Sequence, residues 1–172
     1  MAKDGFLKKH RIVRNDIRKD MLYFAIPALL ILTVGTGVII WDLYRNQGNL
    51  NIPSVENIAG LVLIVIGGSI SLVAAVTLRL HYSSTLVIRE DHKLITHGIY
   101  RFVRHPIYLG TLLVMIGLPV FVWSLYGTLI MSTLIPVFLI RIRMEEKLLT
   151  EEFGDAYRTY RKATRKLIPF IY

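Results

Sequence analysis

The chain has 172 residues, 53 % of them hydrophobic, and carries 21 Lys and Arg against 12 Asp and Glu, a formal net charge of +9. With a mean hydropathy of +0.50, this composition excludes an ordinary soluble domain and makes an integral membrane protein the starting expectation. The absence of cysteine excludes disulfides, thiolate metal ligands and cysteine nucleophiles.

Residues 1–20 form a basic N-terminal segment in which Phe6, Ile12, Val13 and Ile17 alternate with Lys8, Lys9, Arg11, Arg14 and Arg18. That pattern suits either a basic amphipathic helix lying on the membrane or a solvated topology anchor. Its charge and its acidic residues argue against a signal or transit peptide. An uncharged stretch of 21 residues, Met21 to Trp41, follows, and after the turn-rich connector "DLYRNQGNLNIPSVEN" a second of 22, Asn57 to Leu78. At ~1.5 Å per residue each reaches roughly 32 Å, enough to cross a hydrocarbon core of about 30 Å. Residues 21–79 therefore read as two transmembrane helices, the first kinked at Pro27. Gly35, Gly37, Gly67, Gly68 and Ser71 are small enough to admit close helix contact.

The segment "RLHYSSTLVIREDHKLITHGIYRFVRHP" reads as a cytoplasmic loop with a β-prone "STLVI" and a turn-like "REDHKLITHG". Proline is favoured in a first helical turn, so Pro106 opens a third helix, capped by His105 with its ring toward the loop. The free N–H groups of such an N-terminus suit a carboxylate. Pro106 to Ile140 is uncharged for 35 residues, about 52 Å as one helix, and must fold back. Gly117-Leu118-Pro119 and Trp123 to Gly127 place the turn around Ser124. The expected fold is all-α and membrane-integral, with four transmembrane helices, the third and fourth forming a tight hairpin.

Lys and Arg number 7 before the first span, 1 between the first two, 5 before the third, none in the hairpin and 8 from Arg141 onward. Thus 20 of 21 fall on one face, which the positive-inside rule makes cytoplasmic, together with both termini. The basic charge is then topology beside anionic lipid, and no nucleic-acid partner is expected. The last segment, "IRIRMEEKLLTEEFGDAYRTYRKATRKLIP", keeps a helical pattern through Leu148, Leu149, Phe153, Tyr157 and Tyr160, with a break at Gly154 and a stop at Pro169. Arg141 and Glu145 share one helical face at the membrane surface, either as functional groups or as an i,i+4 ion pair. His81, His92, His97 and His105 lack metal-ligand spacing, and no metal is expected.

"HKLITHGIYRFVRHPIYLG", followed after a hydrophobic hairpin by "RIRMEEKLLTEEFGDAYRTYRKATRKLIP", resembles the C-terminal half of the isoprenylcysteine carboxyl methyltransferase family and its phospholipid methyltransferase relatives. The resemblance covers roughly residues 80–172, which it implies are a catalytic region with a cytoplasmic cofactor-binding cap. It implies S-adenosyl-L-methionine as cofactor, held by His92, Lys93, Leu94, Ile95, Tyr100, His105, Pro106, Ile107, Tyr108 and Glu145, with Arg141 orienting the substrate. Arg101 and Arg104 then read as topology and headgroup charges. The implied activity is methyl transfer, within the bilayer, to a lipophilic or prenylated acceptor, foremost an isoprenylcysteine carboxylate. Such a nucleophile needs a cation to orient it and no general base. An ethanolamine phospholipid acceptor would instead need a base, for which Glu145 or Glu146 is the candidate. An NADPH-dependent membrane reductase and a non-catalytic membrane protein are the readings from other classes. The expected location is a membrane with the site on its cytoplasmic face, the cell membrane in a prokaryote.

Overall fold

Pro27 lacks a backbone donor and crowds the turn before it, and the chain accommodates this with a π-helical turn over Met21–Ala25, where the Ile26 N–H reaches back to the Met21 carbonyl. Regular helix then runs over Ile26–Arg45 (α1). The structure, a computed structural model, describes residues 18–45, 54–78 and 94–168. The amphipathic pattern of residues 1–17, the "STLVI" stretch and Pro169 lie outside the described residues. The remaining helices are α2 (Val55–Leu78), a 3-10 turn (Gly98–Arg101), α3 (Pro106–Phe121), α4 (Leu125–Ser132), α5 (Leu134–Phe153) and α6 (Asp155–Ala163).

Among the described residues three helices are long and apolar enough to cross a membrane: Arg18–Arg45, Val55–Leu78 and Leu125–Phe153. Pro106–Phe121 is apolar but shorter, at 16 residues. Large apolar side chains on α1 and α2, among them Leu29, Leu30, Val65 and Leu72, are exposed. Such a surface belongs against hydrocarbon and would not persist in water.

Packing follows the small residues, though not all those expected. On α2, Gly60 and Gly67 lie against Gly117 and Gly110 of α3, so close that a Cβ on Gly67 would sit 2.6 Å from the Gly110 carbonyl oxygen. A Cβ on Gly110 would collide with Ser71 Oγ, and Gly35 of α1 packs on Met131 of α4. Gly37 and Gly68 face open space, so the sequence expectation fails at those two positions. The buried apolar core, Ala28, Leu112, Met131, Leu134 and Phe138, joins α1, α3, α4 and α5.

The hairpin turns where expected. Ser124 is the N-cap of α4: its Oγ accepts from the Gly127 N–H at 3.0 Å and donates to the Asp42 carboxylate, pinning the tip to the end of α1. Trp123, at φ 62°, makes the reversal. The returning arm breaks briefly at Thr133, continues as α5 with Pro136 tolerated in its first turn, and ends at Gly154. Gly154 has φ 54°, and α6 leaves from it in a new direction.

Candidate active site

The mouth of α3 is held by chain from both sides. Gly98, at φ 61°, starts the 3-10 turn against Thr77. Phe102–His105 then runs beside the segment after α6. The Arg165 N–H donates to the Phe102 carbonyl at 3.1 Å, the Arg104 N–H to the Arg165 carbonyl at 2.8 Å and the His105 N–H to the Lys166 carbonyl at 3.1 Å. Arg104 completes the lock: Nε bonds Glu146 Oε1 at 2.9 Å, while Nη1 donates to the carbonyls of Arg161, at 2.9 Å, and Thr164. With its side chain 7 % exposed, Arg104 is no headgroup charge, and the structure corrects that expectation. A guanidinium satisfies the last carbonyls of α6 and neutralises a buried acid at once, which lysine could not do.

His105 is the N-cap of α3 by position, with Pro106 at the first helical residue, but its side chain makes no capping hydrogen bond. Its ring, 3 % exposed, stacks on Tyr108 with centroids 5.7 Å apart and lies 3.9 Å from Glu145 Oε2 and 3.5 Å from Glu146 Oε1. His105 Nε2 is buried without a hydrogen-bond partner. Tyr108 links the helices of the hairpin: its hydroxyl donates to Glu145 Oε2 at 2.7 Å and accepts from Arg141 Nε at 2.9 Å. Arg141 and Glu145, for which a direct i,i+4 ion pair was one of the two readings, are joined through the Tyr108 phenol. Arg141 also lies over the Phe24 ring at 4.3 Å and bonds the Asp20 carboxylate through Nη1.

Above this row lies a cavity of about 120 Å³, walled by Leu94, Ile95, Tyr100, Arg104, His105, Glu145, Leu149, Phe153, Tyr157 and Tyr160 with Leu78. Small-molecule sites usually begin near ~300 Å³, so the described walls seat only part of a nucleotide-sized ligand. The Tyr157 hydroxyl, buried without a hydrogen-bond partner, belongs to these walls, as does His105 Nε2, which faces Glu146 Oε1 at 3.5 Å. Buried polar groups are ordinarily satisfied, so such orphans mark a place for ligand acceptors or donors. Burial pushes the Tyr157 phenol up, and pushes that of Tyr160, which donates to the Tyr100 carbonyl at 2.7 Å, up to about 12.

Of the residues implied by the resemblance, Leu94, Ile95, Tyr100, His105 and Glu145 share the cavity, and Tyr108 and Arg141 form the row beneath it. Pro106 and Ile107 only open α3 and are not among its walls. His92 and Lys93 lie outside the described residues. Sequence reasoning missed Arg104 and Tyr157 as parts of the site and offered Glu146 only as an alternative base; for Tyr157 the signal was its place on the apolar stripe with Leu149 and Phe153.

These residues suit S-adenosylmethionine. The N-terminus of α3 and the unpartnered Tyr157 hydroxyl join aromatic and aliphatic walls, with Glu145, 31 % exposed at its side chain, among them. Among the described residues there is no cluster of His, Asp and Glu fit for a metal ion.

The profile described as "Isoprenylcysteine carboxyl methyltransferase (ICMT) family" matches residues 60–151. A probable protein-S-isoprenylcysteine O-methyltransferase of Oryza sativa subsp. indica is 36 % identical over 121 residues, covering 65 % of this chain and 60 % of its own. The protein-S-isoprenylcysteine O-methyltransferase of Schizosaccharomyces pombe is 40 % identical over 83 residues, 48 % of this chain and 35 % of its own. The chain therefore spans 60 % or less of the length of these two relatives. A solved structure of the eukaryotic intramembrane Ras methyltransferase superposes with a TM-score of 0.70 at 20 % identity, over 97 % of this chain and 66 % of that one. The fold is thus that of an intramembrane methyltransferase.

Proposed function

From the premise that this chain belongs to the isoprenylcysteine carboxyl methyltransferase family, we propose that it is an S-adenosylmethionine-dependent membrane methyltransferase whose acceptor is the carboxylate of an isoprenylcysteine-like lipid. The observation that carries the reading is the Glu145–Tyr108–Arg141 row, which ties a guanidinium already bound to a carboxylate to Glu145 in the wall of the cavity that His105 also lines. The cofactor's sulfonium supplies a methyl carbon open to in-line attack. Leu94, Ile95, Tyr100, His105, Tyr108 and Glu145 would hold it, with His92 and Lys93, which precede them in sequence, and Pro106 and Ile107 through the first turn of α3.

The chain's own residues then have to align and exclude. Arg141 holds the acceptor carboxylate; its Nε is fixed by Tyr108, so the guanidinium plane cannot swing. Tyr108 is in turn anchored by Glu145 and stacked against His105, which ties acceptor side to cofactor side through one ring. Leu149 and Phe153 wall water from the reacting atoms. An amine acceptor would have to shed a proton to a carboxylate, yet Glu146 is engaged by Arg104 and Glu145 by Tyr108. The geometry favours the carboxylate.

The reading extends to topology: four membrane passages, α3 being the short one, with a cytoplasmic N-terminal segment over residues 1–20, two spans over 21–79 and the catalytic region with its cap over 80–172. The test is transfer of a labelled methyl group by the detergent-purified chain to N-acetyl-S-farnesylcysteine and, separately, to phosphatidylethanolamine. Base-labile ester on the first, abolished by Arg141→Ala in a folded protein, is expected. Label on the amine alone, or full activity of Arg141→Ala, contradicts the proposal.

A further inference from the structure

Arg141 carries a carboxylate before any acceptor arrives. Asp20 lies one residue ahead of the π-helical turn, its side chain 14 % exposed, and its Oδ1 bonds Arg141 Nη1. Phe24, one turn further on, lies under the same guanidinium. A cation buried at a membrane surface is costly without an anion, so an empty acceptor seat would be unstable by itself.

Resting on the reading of Arg141 as the acceptor's partner, we propose that Asp20 is a positioning residue of the acceptor site: an internal carboxylate that fills the seat beside Arg141 until an acceptor carboxylate takes its place. A neutral or cationic headgroup offers Arg141 nothing in exchange for Asp20. Methylation converts the acceptor's carboxylate into a neutral ester, which loses its claim on the guanidinium. Asp20 then retakes Arg141 and the ester leaves. One residue accounts for both the filled resting seat and product release.

The test is binding of N-acetyl-S-farnesylcysteine and of its methyl ester to the full-length purified chain, in the wild type and in Asp20→Asn and Asp20→Ser. Removing the competing charge is expected to tighten binding of the acid about tenfold and to tighten that of the ester by no more. Unchanged or weaker acid binding in a folded variant overturns the proposal. A spin label at Leu22→Cys, on the exposed side of the same turn, reads the displacement with Asp20 intact. Its spectrum should change with the acid and not with the ester, and an unchanged spectrum with bound acid also overturns it. A wild type that transfers no methyl group while Asp20→Asn still binds the acid more tightly would remove the transferase reading and leave the carboxylate seat. Methyl transfer with no effect of Asp20 on either readout would do the reverse.

Discussion

Arg104 reaches Glu146 with Nε and the C-terminal end of α6 with Nη1, so one side chain ties α5 to the C-terminal helix beside the cavity. Truncating it leaves a buried carboxylate with much of its compensation gone, and Arg104→Ala should destabilise the fold by about 3 kcal/mol in denaturant unfolding of the detergent-solubilised protein. Arg104→Lys should recover little of that, because the fork geometry is lost. Tyr157 makes the opposite case. Its hydroxyl is buried and unpartnered, so Tyr157→Phe should leave unfolding of the ligand-free chain unchanged while weakening S-adenosylmethionine binding about fivefold by calorimetry. An equal loss of stability would show that the hydroxyl serves the fold instead. Neither role was legible in the sequence. Arg104 stands in a basic loop beside a span, where arginines usually face headgroups, and its partners lie 42 to 60 residues away. Arg141 and Glu145 were legible from their spacing of four, but the phenol that joins them comes from 33 and 37 residues earlier.

Among the elements, α2 and α3 meet along glycines seven residues apart on each helix, Gly60 and Gly67 against Gly117 and Gly110. Because backbone faces backbone there, Gly110→Ala should lower stability by roughly 1–3 kcal/mol, whereas Gly68→Ala, which points into open space, should be neutral or slightly stabilising through helix propensity. Equal effects in thermal unfolding would show that the glycine seam does not hold the pair. The hairpin was readable because its signals are local: a Ser cap, flanking aromatics and glycines within five residues. The seam was half readable, since Gly67 and Ser71 stand out in an apolar run while Gly60, Gly110 and Gly117 acquire meaning only once the two helices are paired. Pro27 was expected to kink the first helix, and the chain absorbs it in a widened turn that places Asp20 and Phe24 against Arg141.

At the scale of the whole molecule, the proposed topology sets the hairpin tip and the site on opposite sides of the bilayer. The chain has no cysteine, so single cysteines can be placed freely. In oriented vesicles an impermeant maleimide should label Tyr126→Cys from one side and Arg158→Cys from the other; labelling of both from one side would refute a crossing by Leu125–Phe153. Central to the proposed function, however, is a methyl donor seated in the cavity lined by His105 and Glu145. Calorimetric titration of S-adenosylmethionine into the purified wild type and His105→Ala addresses it most directly, with NADPH titrated in parallel. Saturable binding of S-adenosylmethionine that His105→Ala weakens at least tenfold, with no binding of NADPH, is the predicted result. Binding of NADPH alone, or S-adenosylmethionine binding indifferent to His105, would contradict it.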